Sequence, residues 1–165
     1  EVTFEKHLET KILKALFTHH VYEEVAYEIY QLTNKHQNIG LGMVGELPNS
    51  LSETEFLTLV KEKIQTGGIR HSAFLNKPIQ KVAVLGGSGS FAIHAAIASG
   101  ADAFLTADLK YHQFYEAENR LLLADVGHFE SERFTKNYIV DYLKEKITNF
   151  AIILSEENTN PVQYF

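Results

Sequence analysis

Short apolar segments alternate with helical segments over the second half of the chain, and this alternation constrains the fold more than any other feature. Three apolar runs predict buried strands: Val82–Leu85, Ala103–Thr106 and Leu121–Val126. Each is followed by a helical pattern: Phe91–Ala98, Tyr111–Asn119 and Glu130–Ile147. The apolar segment Phe150–Leu154 predicts a final strand. Strands separated by helices of this length are typical of an α/β fold with a mainly parallel, helix-covered sheet.

The first 38 residues have a different pattern. Glu1–Lys6 alternates apolar and polar residues like a half-exposed strand, and His7–His19 is amphipathic at helical spacing. Val25–Leu32 is rich in β-branched and aromatic residues, which predicts a second strand before the polar loop 33–38. Because the chain starts within this β-α-β pattern and without Met, we expect it to be part of a longer protein.

The segment between these two regions carries clear local signals. Ile39–Leu47 is a glycine-bearing extended segment, and a turn is predicted at 48–50. Ser52 and Glu55 have the spacing of a capping box that opens a helix. Gly67-Gly68 is predicted to end that helix, and a short strand is predicted at Ile69–Ser72.

Composition excludes several kinds of function. The chain has no cysteine, so disulfides, zinc-thiolate sites and cysteine nucleophiles are excluded, and with no signal sequence a reducing cytoplasm is expected. The net charge of −6 argues against nucleic-acid binding, and no apolar run is long enough to cross a membrane. A small phosphorylated ligand stays possible. Any metal must be bound by the 8 histidines and the carboxylates among 21 acidic residues.

The most informative motif is Gly127-His128-Phe129-Glu130-Ser131-Glu132, at the junction of a buried strand and a helix. Ligands bind at the carboxyl ends of strands in open α/β sheets. His128 and Glu132 are one helical turn apart and suit a divalent ion such as zinc, manganese or iron. The alternative is a surface His–Glu pair at a helix end, which is common and stabilises little.

Two further segments follow neighbouring strands. Gly86-Gly87-Ser88-Gly89-Ser90 is predicted to be a strand-to-helix turn whose amides bind an anion, or simply a tight turn that needs glycine. Asp108, Lys110 and His112 follow the next strand and are candidates for orienting a ligand, binding an anion and moving a proton. The alternative for Asp108 is that it caps the following helix.

Four motifs in order resemble the second half of the Nif-three-like proteins, which are called GTP cyclohydrolase 1 type 2 homologues. The resemblance runs from about Gly40 to the end of the chain. Its motifs are VAVLGGSGSFAIHAAIASGAD at Val82–Asp102, TADLKYH at Thr106–His112, DVGHFESE at Asp125–Glu132 and TNP at Thr159–Pro161. Ala107 stands where the family usually has glycine.

The N-terminal residues resemble the end of the PII-like domain inserted in bacterial members of that family. His20–Tyr27 is similar to the insert's His-Pro-Tyr-Glu-Glu-Val-Ala-Tyr stretch, with Val21 in place of proline. The resemblance therefore implies a ferredoxin-like, PII-like remnant at 1–38 and the C-terminal half of the metal-binding domain at 39–165. His19-His20 belongs to the insert and is not assigned a metal.

The family resemblance implies a centre of two divalent metal ions whose ligands come from both halves of the main domain. Only His128 and Glu132 carry over as metal ligands in this chain. Asp108, Lys110, His112, Gly86, Gly87 and Ser88 carry over as substrate-binding or neighbouring residues. The implied protein is a ring-shaped homo-oligomer and a metal-dependent hydrolase of unknown substrate. The alternative is a regulatory or scaffold protein that binds metal or a small ligand without turnover.

Overall fold

The computed structural model describes residues 1–34 and 39–163, and the chain divides into two compact units, Glu1–Gln37 and Asn38–Phe165. The predicted loop at 33–38 lies mostly outside the described residues. The assignment of the first unit to a PII-like domain stays a prediction. No helix among the described residues is both long enough and apolar enough to cross a membrane.

The first unit contains a single α-helix in its described part. A 3-10 turn at Lys6–Leu8 leads into α1, Glu9–His19, so the helix predicted at His7–His19 is confirmed. The strands predicted at Glu1–Lys6 and Val25–Leu32 are wrong, since residues 1–34 form no strand. Alternating side chains favour an extended backbone, but a strand also requires a hydrogen-bonded neighbour, and the described part of this unit provides none.

The second unit is built on a five-stranded sheet with the order β1-β3-β4-β5-β2. Its three central strands are parallel, and both edge strands run antiparallel to their neighbours. The predicted α/β fold with a mainly parallel sheet is therefore confirmed. The strands are β1 at Met43–Leu51, β2 at Arg70–His71, β3 at Ile79–Ser88, β4 at Ala103–Ala107 and β5 at Leu122–Asp125.

The turn predicted at 48–50 is part of strand β1. Pro48 lies where the pairing with β3 shifts register, between Glu46 and Leu51. An edge strand tolerates proline at such an irregularity. Proline has no N–H to donate, and here no regular backbone hydrogen bond between strands depends on that group.

The helices of this unit lie where the sequence predicts helices, but their lengths differ from the predicted ones. They are α2 at Glu53–Ile64, α3 at Ile93–Ala98, α4 at His128–Glu132 and α5 at Thr135–Lys146. The capping box is confirmed, because Ser52 N donates to Glu55 Oε2 at 2.9 Å and Glu55 N donates to Ser52 Oγ at 3.3 Å. Helix α2 ends before Gln65, which takes a left-handed conformation, so Gly67-Gly68 does not end it.

Three further boundaries differ from the sequence prediction. Residues Tyr111–Ala117 form a 3-10 helix, and the helix predicted at Glu130–Ile147 is divided into α4 and α5. Helix α4 contacts β3 and β4, whereas α5 has no buried residue. Helix α4 therefore packs on the sheet, whereas α5 lies at the surface. The strand predicted at 150–154 is not formed, because none of the five strands in the described part of the chain pairs with that segment.

Strands β4 and β5 are buried on both faces, whereas β3 has exposed residues on one face, including Val84. In β4, Phe104 points to the face covered by α3 and the 3-10 helix, while Ala103 and Leu105 point to the face covered by α2. This alternation follows from the two-residue period of a strand. Because β3, β4 and β5 are parallel, their carboxyl ends meet at one edge of the sheet, and the candidate site residues follow these ends.

Candidate metal centre

His128 is the centre of a three-residue cluster at this edge. Gly127 has a φ of 92°, which lets the chain turn from β5 directly into α4, so that His128 is the first residue of the helix. The Nδ1 atom of His128 lies 2.5 Å from Asp108 Oδ2, and its Nε2 atom lies 3.3 Å from Glu132 Oε2. The two predicted ligands are therefore brought together, and Asp108 joins them as a second carboxylate.

Asp108 reaches His128 from the end of the neighbouring strand. It follows β4 with a φ of 57°, a left-handed conformation that aspartate tolerates better than most residues. The alternative that Asp108 caps the next helix is wrong. The capping residue is Lys110, whose N–H donates to Gln113 Oε1 at 2.8 Å.

The two carboxylates favour the protonated form of His128 in the metal-free chain. The pKa of His128 is raised, first because its side chain is hydrogen-bonded to Asp108, and further by the negative charges of Asp108 and Glu132. Partial burial opposes the shift. All three side chains are about half exposed, so solvent weakens these interactions.

The cluster fits one side of a metal site. A carboxylate can only accept, so Nδ1 of His128 carries the proton shared with Asp108, and in the neutral ring Nε2 has the free lone pair. Two ligands bound to one tetrahedral metal at about 2.0–2.1 Å lie about 3.3 Å apart. The His128 Nε2 to Glu132 Oε2 separation of 3.3 Å matches that value.

The cluster is nevertheless incomplete as a metal site. Among residues 1–34 and 39–163, no three His, Asp or Glu side chains are arranged to hold one ion together. Asp108 is bonded to the opposite ring nitrogen, so it orients His128 and does not complete the ligand set. Stable sites usually have three or four protein ligands, whereas the described residues bring together two.

Gly87 provides the space that Glu132 occupies. It has a φ of 69°, and a Cβ placed on it would lie 2.5 Å from Glu132 Oε1. Its N–H donates to Ser131 Oγ at 2.9 Å, so this amide is already bonded within the protein. Gly86, Gly87 and Ser88 belong to strand β3, so the strand-to-helix turn predicted at Gly86–Ser90 is confined to Gly89-Ser90. Anion binding by Gly86, Gly87 and Ser88 stays a prediction.

Lys110 and His112 lie close to Asp108 in sequence but do not join the cluster. Both are exposed, and among the described residues their side chains form no ion pair or hydrogen bond with His128 or Glu132. The His112 ring instead contacts the Tyr111 ring edge to face at 5.3 Å. Their predicted contact with a substrate stays a prediction.

Two buried carboxylates near the site were not singled out from the sequence. Asp125 accepts hydrogen bonds from backbone amides on both sides of the cluster. Glu130 accepts from Asn160 Nδ2 at 3.2 Å and so ties α4 to the C-terminal segment. Both lie in the motif DVGHFESE, and Asn160 lies in TNP, but a motif does not reveal which of its members are buried.

A cleft of about 710 Å³ opens beside the cluster. Asp108, His128 and Glu132 line one side, and Arg133 and Lys136 contribute positive charge. Lys136 Nζ donates to the carbonyl of Ser155 at 2.7 Å, which places the C-terminal segment along the cleft. The cleft is large enough for a small organic ligand.

Comparison with known proteins agrees with this architecture. Residues 3–161 match the Duf34/NIF3 (NGG1p interacting factor 3) family. The chain is 36% identical to a GTP cyclohydrolase 1 type 2 homolog of Bacillus subtilis and to one of Listeria innocua, covering 99% of this chain and 45% of each relative. The crystal structure of a Bacillus cereus protein related to NIF3 superposes with a TM-score of 0.82 at 35% identity, covering 98% of this chain and 46% of that one. The chain thus spans a little under half the length of these relatives.

Proposed function

The chain belongs to the Duf34/NIF3 family, and on that basis we propose that His128 and Glu132 supply one side of a divalent-metal centre in a protein resembling a dinuclear metal-dependent hydrolase. The observation that carries the proposal is that the two ring nitrogens of His128 face two different carboxylates. Asp108 holds Nδ1 at 2.5 Å, and Nε2 faces Glu132 at 3.3 Å. A carboxylate that fixes the far nitrogen of a metal-binding histidine is a common feature of such sites.

The residues have separate tasks in this proposal. His128 Nε2 and Glu132 would hold the ion, which when bound lowers the pKa of a coordinated water and makes hydroxide available near neutral pH. Asp108 orients the imidazole and strengthens it as a donor. Gly87 leaves room for the Glu132 carboxylate.

The adjacent cleft, which has more acidic than basic side chains, would take an anionic ligand once metal is bound. Arg133 and Lys136 line it together with the acidic cluster, so a bound metal and these two cations would face a phosphorylated molecule from one side. The names of the relatives indicate GTP as the substrate to test first. Lys110, His112 and the Gly86–Ser88 segment stay candidates for substrate contact.

A regulatory protein that binds metal without turnover is the second candidate. The observation in its favour is that the described residues provide only two ligands for a metal, which leaves a bound ion mostly coordinated by water. Both candidates predict metal binding, so turnover distinguishes them.

Metal binding is tested with the chain after treatment with a chelator and equilibration with Mn²⁺. We expect an ion to bind to the wild type and to be lost in His128→Ala. His94→Ala is the matched control, because His94 is also exposed and faces a carboxylate, Glu116, at 3.9 Å on another surface. Equal binding by all three proteins would contradict the proposed site.

Turnover is tested by incubating the Mn²⁺-loaded protein with GTP and measuring formate and phosphate release. Release that His128→Ala abolishes and His94→Ala retains supports the hydrolase. Metal binding without any release supports the regulatory candidate.

The proposed protein is a ring-shaped homo-oligomer of the cytoplasm. Helix α5 leaves large side chains exposed, including Tyr138 and Tyr142, and such surfaces are usually covered in an assembly. Sedimentation of the chain measures this directly, and a monomer at all concentrations would contradict it.

A further inference from the structure

Asp125 is a buried carboxylate that accepts hydrogen bonds from three protein groups. It is 5% exposed and is the last residue of β5. Its Oδ2 accepts from Leu109 N at 2.9 Å and from the Arg70 guanidinium, and its Oδ1 accepts from Gly127 N at 3.1 Å. Only an ionised carboxylate accepts at both oxygens without presenting a donor.

The two backbone amides held by Asp125 adjoin the two members of the short site contact. Leu109 directly follows Asp108, and Gly127 directly precedes His128. The chain has positive φ at Asp108 and Gly127, 57° and 92°. For a residue other than glycine this conformation is unfavourable, so the surrounding bonds must maintain it. Asp125 supplies such a bond to each of the two loops.

Arg70 completes this arrangement from the edge strand. It is the direct partner of Asp125 in the β2–β5 pairing, and its guanidinium also donates to the carbonyl of Leu109 at 2.9 Å. The N–H of Leu109 is thus held by Asp125 and its C=O by Arg70. Both hydrogen-bonding groups of the residue after Asp108 are fixed.

We propose that Asp125, supported by Arg70, is a positioning residue that sets the Asp108–His128 contact and so presents Nε2 of His128 toward Glu132. The inference deepens the proposed metal site and rests on it for its function. The geometric part, that Asp125 keeps the proton of neutral His128 on Nδ1, holds in the metal-free chain. It can therefore be tested separately from metal binding.

The test records the ¹⁵N NMR signals of the His128 ring in the metal-free chain at about pH 9, where an ordinary imidazole is neutral. We expect the Nδ1–H tautomer to predominate in the wild type. In Asp125→Asn the Nδ1–H tautomer should become the minor form. The NH2 group of asparagine cannot accept a hydrogen bond, so at least one of the three donors loses its acceptor. A folded Asp125→Asn with the wild-type tautomer would overturn the inference.

Glu53→Gln is the control for a merely structural effect. Glu53 is also 5% exposed, and it accepts from two backbone amides, Leu75 N at 2.7 Å and Asn76 N at 2.9 Å. These bonds tie α2 to the loop after β2 and do not involve the loops that carry Asp108 and His128. We expect Glu53→Gln to be destabilised while its His128 signals stay as in the wild type. A tautomer change in this variant equal to that in Asp125→Asn would contradict positioning by Asp125.

Arg70→Met keeps the test decisive if Asp125→Asn fails to fold. The Arg70 side chain is 62% exposed, and methionine preserves its contact surface while removing its bonds to Asp125 and Leu109. A partial shift toward Nε2–H is expected, and wild-type signals would overturn the supporting part of the inference.

Mn²⁺ titration of the same variants links this arrangement to the site. The dissociation constant should rise about 10–100-fold in Asp125→Asn, as for other residues that orient metal-binding histidines, and should be unchanged in Glu53→Gln. If the wild type binds no Mn²⁺, the proposed function fails, while the tautomer measurement still decides the inference about Asp125.

Discussion

Asp108 and His128 follow adjacent parallel strands, and their side chains meet at 2.5 Å between Oδ2 and Nδ1. The contact joins residues 20 positions apart in the sequence. It leaves the other ring nitrogen directed at Glu132, one helical turn along α4. The whole account of the site depends on this relationship, and several consequences can be measured.

Asp108→Asn should lower the pKa of His128 toward its ordinary value. The hydrogen bond to Asp108 is the largest cause of the raised pKa, and an amide in its place has no charge to stabilise imidazolium. NMR titration of the His128 ring measures the change. Glu116→Gln, which alters the carboxylate facing His94, is the control and should leave the His128 pKa unchanged.

The stability of the metal-free chain should depend on pH through His128. Because the folded pKa is raised, the favourable interaction is fully present below the unfolded pKa of about 6.5 and is lost as pH rises through the folded value. The half-exposed setting limits the effect to less than about 1 kcal/mol. Urea unfolding of the wild type and His128→Gln should therefore differ more at pH 6 than at pH 9. A larger difference at pH 9 would contradict this sign.

Gly87→Ala should disrupt the site more than the fold. The added Cβ would meet the Glu132 carboxylate at 2.5 Å, and the left-handed φ of 69° adds strain of about 1–2 kcal/mol. We expect Mn²⁺ affinity to fall together with a modest loss of unfolding free energy. Gly45→Ala is the control, because nothing lies within 4 Å of a Cβ at that position in β1. Unchanged Mn²⁺ affinity in Gly87→Ala would show that Glu132 does not need this space.

Ser52→Ala should destabilise the second unit without affecting the site. The substitution removes the side-chain acceptor that holds Glu55 N at the start of α2. Such caps contribute about 1 kcal/mol. Thermal unfolding measures the loss, and Mn²⁺ affinity of the folded protein should equal that of the wild type.

The central strands could be predicted because the signals for a strand lie in neighbouring residues of the sequence. The apolar runs that became β4 and β5 are short and bounded by turn residues, and the Ser52–Glu55 capping box depends only on spacing. Pairing direction is not local, so the antiparallel edges β1 and β2 were not foreseen. The same reason explains why no strand forms at Val25–Leu32, where the pattern is favourable but no described segment pairs with it.

The site was predicted in part for a similar reason. The i, i+4 spacing of His128 and Glu132 shows that both side chains can share one helix face, and the structure brings them together. Asp108 could be placed at the same edge, but its contact with Nδ1 requires the register of β4 on β5. Asp125 could not be found, because two of its partners are backbone amides, which leave no residue pattern, and its contact with Arg70 depends on the pairing of β2 with β5.

The nitrogen coupling of bound Mn²⁺ tests the central claim most directly. Pulsed electron paramagnetic resonance of the Mn²⁺-loaded chain detects ¹⁴N modulation when an imidazole nitrogen is a ligand. We predict this modulation in the wild type and in His94→Ala, and its loss in His128→Ala. Modulation that persists in His128→Ala, or its absence from the wild type at saturating Mn²⁺, would contradict metal binding by His128.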